Sequence, residues 1–210
     1  MVAAGSLRAE EPANLYTLKQ QVSNYVATGE YGKNVAQVAA EANKYLVHRI
    51  PKGVPRTAIH SKKIAVVFDI DETTLSNLRH IQANDYGYVP KIWNAWVNEG
   101  QATAIYPVQA VYNTAINAKV DVFFITGRTP DSAAVTERNL REVGYEGWTR
   151  ILYKPADFTE STRAFKISAR RSLAEEGYLI ILNMGDQDSD LVGGYAEKTF
   201  KLPNPFYIVN

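Results

Sequence analysis

The sequence predicts an α/β fold in which helices cover both faces of a doubly wound parallel sheet. Three short runs, at 64–68, 120–125 and 179–184, are dominated by β-branched and other large apolar residues. Runs of this length are typical of strands that are buried on both faces, as in a parallel sheet. Segments with helical spacing separate the later runs, and this alternation favours a doubly wound arrangement.

Length and composition favour one domain with a sizeable core. The chain has 210 residues, of which 46% are hydrophobic and 21% are charged. A formal net charge of +1 argues against bulk binding to nucleic acid or to a membrane surface, which needs a basic surplus. No apolar run approaches the ~18 residues of a membrane span, so we expect none.

The N-terminal residues and the absence of cysteine also limit the possible domain organisation and the kinds of site. The chain has no cysteine, which excludes disulfides and thiolate metal sites. Residues 1–20 lack the charged start and apolar stretch of a signal peptide, so none is expected. We predict a leader or disordered N-terminus over residues 1–11 and a single domain over residues 12–210.

Two amphipathic helices are predicted before the first strand. Apolar residues recur at helical spacing over 12–28 and again over 33–48, with Gly29 and Gly32 between the two segments. This pattern predicts a helical hairpin over residues 12–50. A stiff linker is then predicted from Pro51, Gly53 and Pro55.

About fifty residues separate the first two strands, which is too many for a plain crossover. A helix over 107–119 would make the ordinary crossover, and a helix over 91–99 would belong to a small cap-like insertion at 77–106. The insertion is rich in aromatic residues, among them Trp93 and Trp96. Aromatic side chains mostly bury one another, so a packed cluster is one interpretation. A wall that contacts the leaving group of a substrate is the other.

The rest of the chain alternates between helix and strand. The predicted elements are a helix over 131–143, a strand over 149–153, a helix over 162–176, a strand over 178–184 and a short edge strand over 199–202.

Acidic residues follow the first strand. Asp69 and Asp71 are two positions apart, so their side chains would project to the same side of the strand end. Carboxylates this close repel each other unless a proton or a cation lies between them. The pattern indicates a divalent metal site, although Asp71 before Glu72 is also compatible with a simple capping residue at a turn.

Polar residues also follow the other two strands. Thr126 and Gly127 follow the second strand, and a group of acids at 186–190 follows the third. Ligands of open parallel sheets bind at the carboxyl ends of the strands. We therefore expect the three polar groups to converge on one site.

The order of these motifs resembles a known superfamily. DxDxT at 69–73, Thr126 after a strand, a later lysine and GDxxxD at 185–190 resemble the four motifs of the haloacid dehalogenase (HAD) superfamily. The segments 93–97, 104–107 and 199–205 resemble the acid phosphatases related to plant vegetative storage proteins. Bacterial class B and class C acid phosphatases are similar at a greater distance. The resemblance runs from about residue 12 to the C-terminus.

The resemblance implies a Mg²⁺-dependent acid phosphatase with a Rossmann-like HAD fold, which hydrolyses phosphate monoesters through an aspartyl-phosphate. Asp69 would be the nucleophile and a metal ligand. Asp71 would be the general acid and base, and would bind the metal through its backbone carbonyl. Asp186 and Asp190 would complete the Mg²⁺ site. Asp188 is left out as a neighbouring acid.

The residues that would bind the phosphoryl group come from the second strand and from a later helix. Thr126 and the Gly127 amide would donate hydrogen bonds to the phosphoryl oxygens. The family's lysine lies some twenty residues before the acid of GDxxxD, which favours Lys166, with Lys154 in reserve. Trp93 and Trp96 are the candidates for contact with the leaving group.

Other functions fit part of the pattern. A storage or binding protein of the same fold would lack turnover, but storage relatives are altered at the nucleophile position and this chain keeps Asp69. A signalling receiver domain carries its phosphorylated aspartate alone on a central strand, unlike this chain. The short insertion favours an open site for small, varied monoesters as the binding partners. The resemblance alone implies a periplasmic or secreted location, and the oligomeric state is not predicted.

Overall fold

The computed structural model describes residues 10–50 and 63–209. In chain order the elements are α1 (Leu15–Ala27), α2 (Glu30–Arg49), β1 (Lys63–Phe68), β2 (Leu75–Ser76), α3 (Leu78–Ala83), α4 (Pro90–Glu99), β3 (Thr103–Ala104), α5 (Tyr106–Asn117), β4 (Asp121–Thr126), a 3₁₀ turn (Pro130–Ser132), α6 (Ala133–Glu142), β5 (Arg150–Tyr153), α7 (Thr162–Glu175), β6 (Tyr178–Gly185), α8 (Asp188–Leu191) and β7 (Thr199–Lys201). The predicted linker at Pro51, Gly53 and Pro55, and residues 1–9 of the predicted leader, lie outside the described residues.

Five strands form one parallel sheet in the order β5-β4-β1-β6-β7. The first strand of the chain, β1, lies in the middle of the sheet. β4 and β5 follow on one side of β1, and β6 and β7 then follow on the other side. This arrangement confirms the predicted α/β class with a doubly wound sheet. It also places the first and third acidic groups on neighbouring strands, at the point where the winding reverses.

Successive side chains of a strand point to opposite faces of the sheet, so the apolar residues of β1 supply both faces. Both faces are covered by helices. Val66 and Phe68 of β1 pack in a core that includes residues of α2 and α5. Ala65 and Val67, which alternate with them, pack in a second core against α7. Burying each large apolar side chain contributes about 1.5–3 kcal/mol. The burial on both sides fixes where β1 ends, and therefore where Asp69 lies.

The N-terminal helices form a hairpin whose turn is tighter than predicted. Gly29 adopts a left-handed conformation with φ of 78°, and α2 begins at the next residue. Gly32 therefore lies inside α2, so its predicted place in the turn was wrong. Asn14 caps the start of α1, and its side chain accepts hydrogen bonds from the amides of Tyr16 and Thr17.

The hairpin is attached to the rest of the protein by apolar packing of both helices and by two polar contacts of α1. Apolar residues of α2 enter the same core as α5, while α1 buries none of its side chains fully. Lys19 Nζ donates to Asp85 Oδ2 over 2.5 Å, and the Ser23 and Tyr86 hydroxyls lie 2.8 Å apart. The domain boundary at residue 12 stays a prediction. Within residues 10–50 and 63–209, no helix combines the length and the apolar character needed to cross a membrane.

The insertion after β1 is built on a small antiparallel ladder. Leu75 of β2 pairs with Ala104 of β3, and the Ile105 amide donates to the Thr74 carbonyl over 3.0 Å. In the chain, the helices α3 and α4 lie between β2 and β3. The predicted helix over 91–99 corresponds to α4. Strands of two residues are too short to show a period, which is why the sequence did not predict the ladder.

Candidate active site

The predicted polar groups meet at the carboxyl ends of the central strands. Asp69 directly follows β1, Thr126 ends β4, and Asp186 directly follows β6. A cavity of about 390 Å³ opens at this edge of the sheet. It is lined by residues of three groups: the strand ends with α7 and α8, the insertion, and the C-terminal tail at 206–209.

Three buried carboxylates form the floor of the cavity. Asp69, Asp186 and Asp190 are 6%, 1% and 3% exposed, and one oxygen of each lies within 4.8 Å of the others. Burial raises the pKa of Asp69 well above its usual value, and the charges of Asp190 and Asp186 add to this effect. Burial and the charge of Asp190 likewise raise the pKa of Asp186. The floor therefore concentrates negative charge.

Lys166 supplies positive charge to this floor. It lies in the second turn of α7, a helix that Ser161 caps by accepting a hydrogen bond from the Ala164 amide. Its ammonium donates to Asp69 Oδ1 over 2.5 Å and also to Asp190 Oδ1. Burial opposes its protonation, but the two carboxylates outweigh that effect and raise its pKa.

The structure separates the two candidate lysines. Lys154 Nζ donates to Thr162 Oγ1 over 3.4 Å, and Lys154 does not line the cavity. Lys166 lines it and contacts two of the three carboxylates.

Asp71 is paired with Arg128, a residue to which the sequence analysis gave no role. The Arg128 guanidinium contacts both carboxylate oxygens of Asp71, at 2.7 Å from Nη2 to Oδ1 and 3.1 Å from Nε to Oδ2. Asn77 Nδ2 donates to Asp71 Oδ1 over 2.9 Å. Burial opposes ionisation of Asp71, yet Arg128 outweighs it and lowers the pKa of this carboxyl. The two residues lie 57 positions apart, so no local pattern could have joined them.

Thr126 and Gly127 connect β4 to this pair. The Thr126 side chain is fully buried, and its Oγ1 accepts a hydrogen bond from the Arg128 amide over 3.1 Å. Thr126 Oγ1 is the acceptor of that bond, and Thr126 itself does not line the cavity, so its donation to a phosphoryl group stays a prediction. Gly127 lines the cavity.

Neutral donors hold the carboxylate of Asp186. Asn204 Nδ2 and Gln187 Nε2 donate to Oδ2 over 2.6 and 2.7 Å, and the Thr73 hydroxyl donates to Oδ1 over 3.1 Å. Asn204 was not among the predicted site residues, although the tail that contains it carried part of the family resemblance. Its Oδ1 accepts from the Phe206 amide over 2.8 Å, so Asn204 also shapes the turn of the tail.

Asp190 depends on the glycine that ends β6. A Cβ at Gly185 would overlap the Asp190 side chain, so only glycine allows the carboxylate this position. Asp190 Oδ2 accepts from the Gln187 amide over 2.8 Å. Asp188, which was left out of the predicted ligands, lies between Gln187 and Asp190 in the chain and is exposed.

A further buried acid, Glu72, follows Asp71 in the chain. Glu72 adopts a left-handed backbone with φ of 54°, which costs a residue with a side chain about 1–3 kcal/mol. Its carboxylate accepts from the Asn77 amide over 2.5 Å and from the Tyr207 hydroxyl over 3.0 Å. Burial, with a contribution from the charge of Asp71, raises the pKa of Glu72 to about 8. This network ties the turn after β1 to the C-terminal tail, and the sequence analysis did not predict it.

The two tryptophans of the insertion occupy different places. Trp93 lines the cavity, edge-on to His80 with ring centroids 5.6 Å apart. Trp96 is buried, stacks on His80 from another side at 5.4 Å, and donates from Nε1 to Asn77 Oδ1 over 2.8 Å. Trp96 does not line the cavity, and the geometry favours packing for this residue. Contact of either ring with a substrate stays a prediction.

The floor of the cavity suits a hard divalent cation. Its donors are all oxygens, as Mg²⁺ prefers, and Lys166 contacts two of the three carboxylates. Burial first, and then the charges of neighbouring carboxylates, raise the pKa of Asp69 and of Asp186. A cation between these carboxylates would offset the repulsive part of this effect. The residues present therefore fit a bound Mg²⁺.

Two curated plant proteins resemble the chain in sequence. It is 39% identical over 158 residues to the stem 28 kDa glycoprotein of Glycine max, covering 72% of this chain and 62% of that protein. It is 34% identical over 148 residues to acid phosphatase 1 of Solanum lycopersicum, covering 68% of this chain and 58% of that protein. The chain thus spans about three fifths of the length of these relatives.

A solved structure resembles the fold and most of the chain. The class C acid phosphatase from Bacillus anthracis superposes with a TM-score of 0.73 at 26% identity, covering 91% of this chain and 86% of that one. A family model described as HAD superfamily, subfamily IIIB (Acid phosphatase) matches residues 4–210. Because the match extends over almost the whole sequence, the chain belongs to subfamily IIIB, the acid phosphatases, of the HAD superfamily.

Proposed function

We propose that this protein is a Mg²⁺-dependent acid phosphatase that hydrolyses phosphate monoesters through an aspartyl-phosphate on Asp69. The observation that carries the proposal is the cluster of three buried carboxylates around Lys166 at the ends of β1 and β6. Membership of the acid phosphatase subfamily and the tomato relative's name support the same activity.

Asp69 attacks the phosphorus atom, and its neighbours reduce the charge repulsion that opposes the attack. A carboxylate and a phosphate monoester are both negative, so the nucleophile needs cations beside it. Lys166 supplies one of these at 2.5 Å from Asp69 Oδ1. The Thr126 hydroxyl and the Gly127 amide donate to the phosphoryl oxygens, where negative charge must be stabilised.

Asp71 transfers the protons of both half-reactions. In its protonated form it gives a proton to the leaving oxygen in the first step, and the resulting carboxylate takes a proton from the attacking water in the second. Because Arg128 lowers the pKa of Asp71, the protonated form is populated at acidic pH. Arg128 and Asn77 fix its carboxylate, so the group is oriented before the substrate arrives. Arg128 is therefore a positioning residue in this proposal.

Asp69, Asp186 and Asp190, with the backbone carbonyl of Asp71, would hold Mg²⁺. When bound, the ion neutralises charge on the nucleophile and on the phosphoryl group. Asn204, Gln187 and Thr73 orient Asp186, which keeps its carboxylate directed for binding.

The substrates we propose are small monoesters that enter an open cavity. Its walls come from the insertion and the tail, and Trp93 offers an aromatic face to a leaving group. We also propose a secreted or periplasmic location. The soybean relative's name describes a glycoprotein, which supports passage through a secretory route for that protein.

Asp69→Asn should abolish turnover without unfolding the protein, because a carboxamide cannot form the acyl-phosphate. Loss of a repelling charge should leave the melting temperature equal or higher. The assay is steady-state hydrolysis of a panel of phosphomonoesters, with Asp188→Asn as the control, since Asp188 is exposed. More than a few per cent of the wild-type rate in a folded Asp69→Asn variant would exclude covalent catalysis by Asp69. A storage or binding protein would show no turnover in the wild type either.

Removal of divalent metal should inactivate the enzyme, and added Mg²⁺ should restore it. Asp186→Ala should raise the Mg²⁺ concentration for half-maximal activity by about tenfold or more, because it removes a carboxylate from the cation's shell. Asp188→Ala is the matched control and should behave as the wild type. Activity that survives exhaustive chelation would contradict the metal assignment.

Lys166→Ala should lower kcat by orders of magnitude, whereas Lys154→Ala should change it little. Only Lys166 contacts the carboxylates at which charge develops during the reaction. Melting curves should first show that both variants are folded, and kcat should then be compared at saturating Mg²⁺. The opposite ranking would transfer the role to Lys154.

Trp93→Ala should lower kcat/KM for an aryl phosphate about tenfold more than for a small alkyl phosphate, since stacking on an aromatic ring contributes ~1–3 kcal/mol. Tyr106→Ala is the control, because Tyr106 is exposed and lies outside the cavity. Equal losses on both substrates would show that Trp93 serves packing and not the leaving group.

A further inference from the structure

One buried serine of the cavity lining has a hydroxyl without a partner among the described residues. In the described part of the chain, three buried side-chain atoms lack a hydrogen-bond partner: Tyr31 Oη, Asn43 Oδ1 and Ser189 Oγ. Of these three residues, Ser189 alone lines the cavity. Its relative exposure is 0%, so bulk solvent does not satisfy the hydroxyl. An unsatisfied buried hydroxyl costs about 1–3 kcal/mol, which an alanine at this position would avoid.

The position of Ser189 relates it to the carboxylate floor. It lies in α8, between Asp186 and Asp190 in the chain. Both oxygens of Asp190 are occupied, by Lys166 and by the Gln187 amide. Both oxygens of Asp186 are occupied too, by three neutral donors. None of these carboxylate oxygens bonds Ser189 Oγ, so the hydroxyl suits a ligand that occupies the cavity.

The proposed Mg²⁺ site would provide such a ligand. Mg²⁺ dehydrates reluctantly and keeps several waters when only a few protein oxygens bind it. These waters are polarised by the ion and need acceptors. A serine hydroxyl can accept from one water and donate its own proton at the same time.

We propose that Ser189 Oγ hydrogen-bonds a water in the hydration shell of the Mg²⁺ held by Asp69, Asp186 and Asp190, and so raises the affinity for the ion. The inference rests on the proposed function, because it needs the same metal site. Ser189 is a positioning residue, since it acts on the ion through water and touches no reacting atom.

The test is direct Mg²⁺ binding to the metal-free full chain, measured by isothermal titration calorimetry without substrate. Ser189→Ala should bind Mg²⁺ about tenfold more weakly than the wild type, the usual effect of losing an outer-shell partner. Its melting temperature without metal should be unchanged or higher, because the hydroxyl has no partner in the protein. The increase in melting temperature on adding Mg²⁺ should be smaller than in the wild type, and kcat should return towards the wild-type value at saturating Mg²⁺.

Ser172→Ala is the matched control. The Ser172 hydroxyl donates to the Ala169 carbonyl in α7 over 3.0 Å and lies outside the cavity. This variant should lose some stability and keep the wild-type Mg²⁺ affinity.

Three outcomes overturn the inference. If the wild type binds Mg²⁺ and Ser189→Ala binds it equally well, Ser189 has no role in the site and the proposed function is unaffected. An unchanged Mg²⁺ affinity with weaker inhibition by inorganic phosphate would show that the hydroxyl serves the phosphoryl group instead. A wild type that does not bind Mg²⁺ would overturn both this inference and the metal part of the proposed function.

Discussion

Repulsion among buried carboxylates is the constraint on which the arrangement around the cavity depends. Two such charges 4 Å apart repel by about 4 kcal/mol at an effective dielectric constant of 20. The protein divides its positive charge among them: Arg128 contacts Asp71, and Lys166 contacts Asp69 and Asp190. Neutral donors hold Asp186. Among the described residues, the three floor carboxylates thus form ion pairs with one lysine alone. Arg170 and Lys201 contact the backbone carbonyls of Asp190 and Asp186, and not their carboxylates. Carboxylates in excess of their ion-pair partners favour binding of a divalent cation.

The sequence predicted the scaffold because the scaffold follows from local periodicity. Alternation along β1 places Val66 and Val67 in opposite cores, and the acids begin where the apolar run ends. A parallel sheet then brings the ends of β1, β4 and β6 together without further information. The spacing that favoured Lys166 over Lys154 agrees with the contacts of both lysines, since α7 directs Lys166 towards β1.

The parts that could not be predicted are side-chain pairs that are remote in the chain. Arg128 and Asp71 meet only after β4 has docked beside β1, and Tyr207 reaches Glu72 across 135 positions. Composition does not reveal such pairs. The insertion shows the same limit: Trp93 and Trp96 are three residues apart on one helix, yet one lines the cavity and the other packs behind it. Helical spacing gave both the same interpretation, and only the surroundings of α4 distinguish them.

The C-terminal tail makes the floor of the cavity depend on the docking of a short segment. Asn204 holds Asp186, Tyr207 holds Glu72, and the Val209 amide donates to Gln187 Oε1 over 3.1 Å. Within residues 63–209 the last strand ends at Lys201, so the strands can pair without these tail residues. Detachment of the tail would therefore leave an assembled sheet with an incomplete cavity. Asp186 and Glu72 would lose partners together, so one local opening would disturb both the carboxylate floor and the turn after β1.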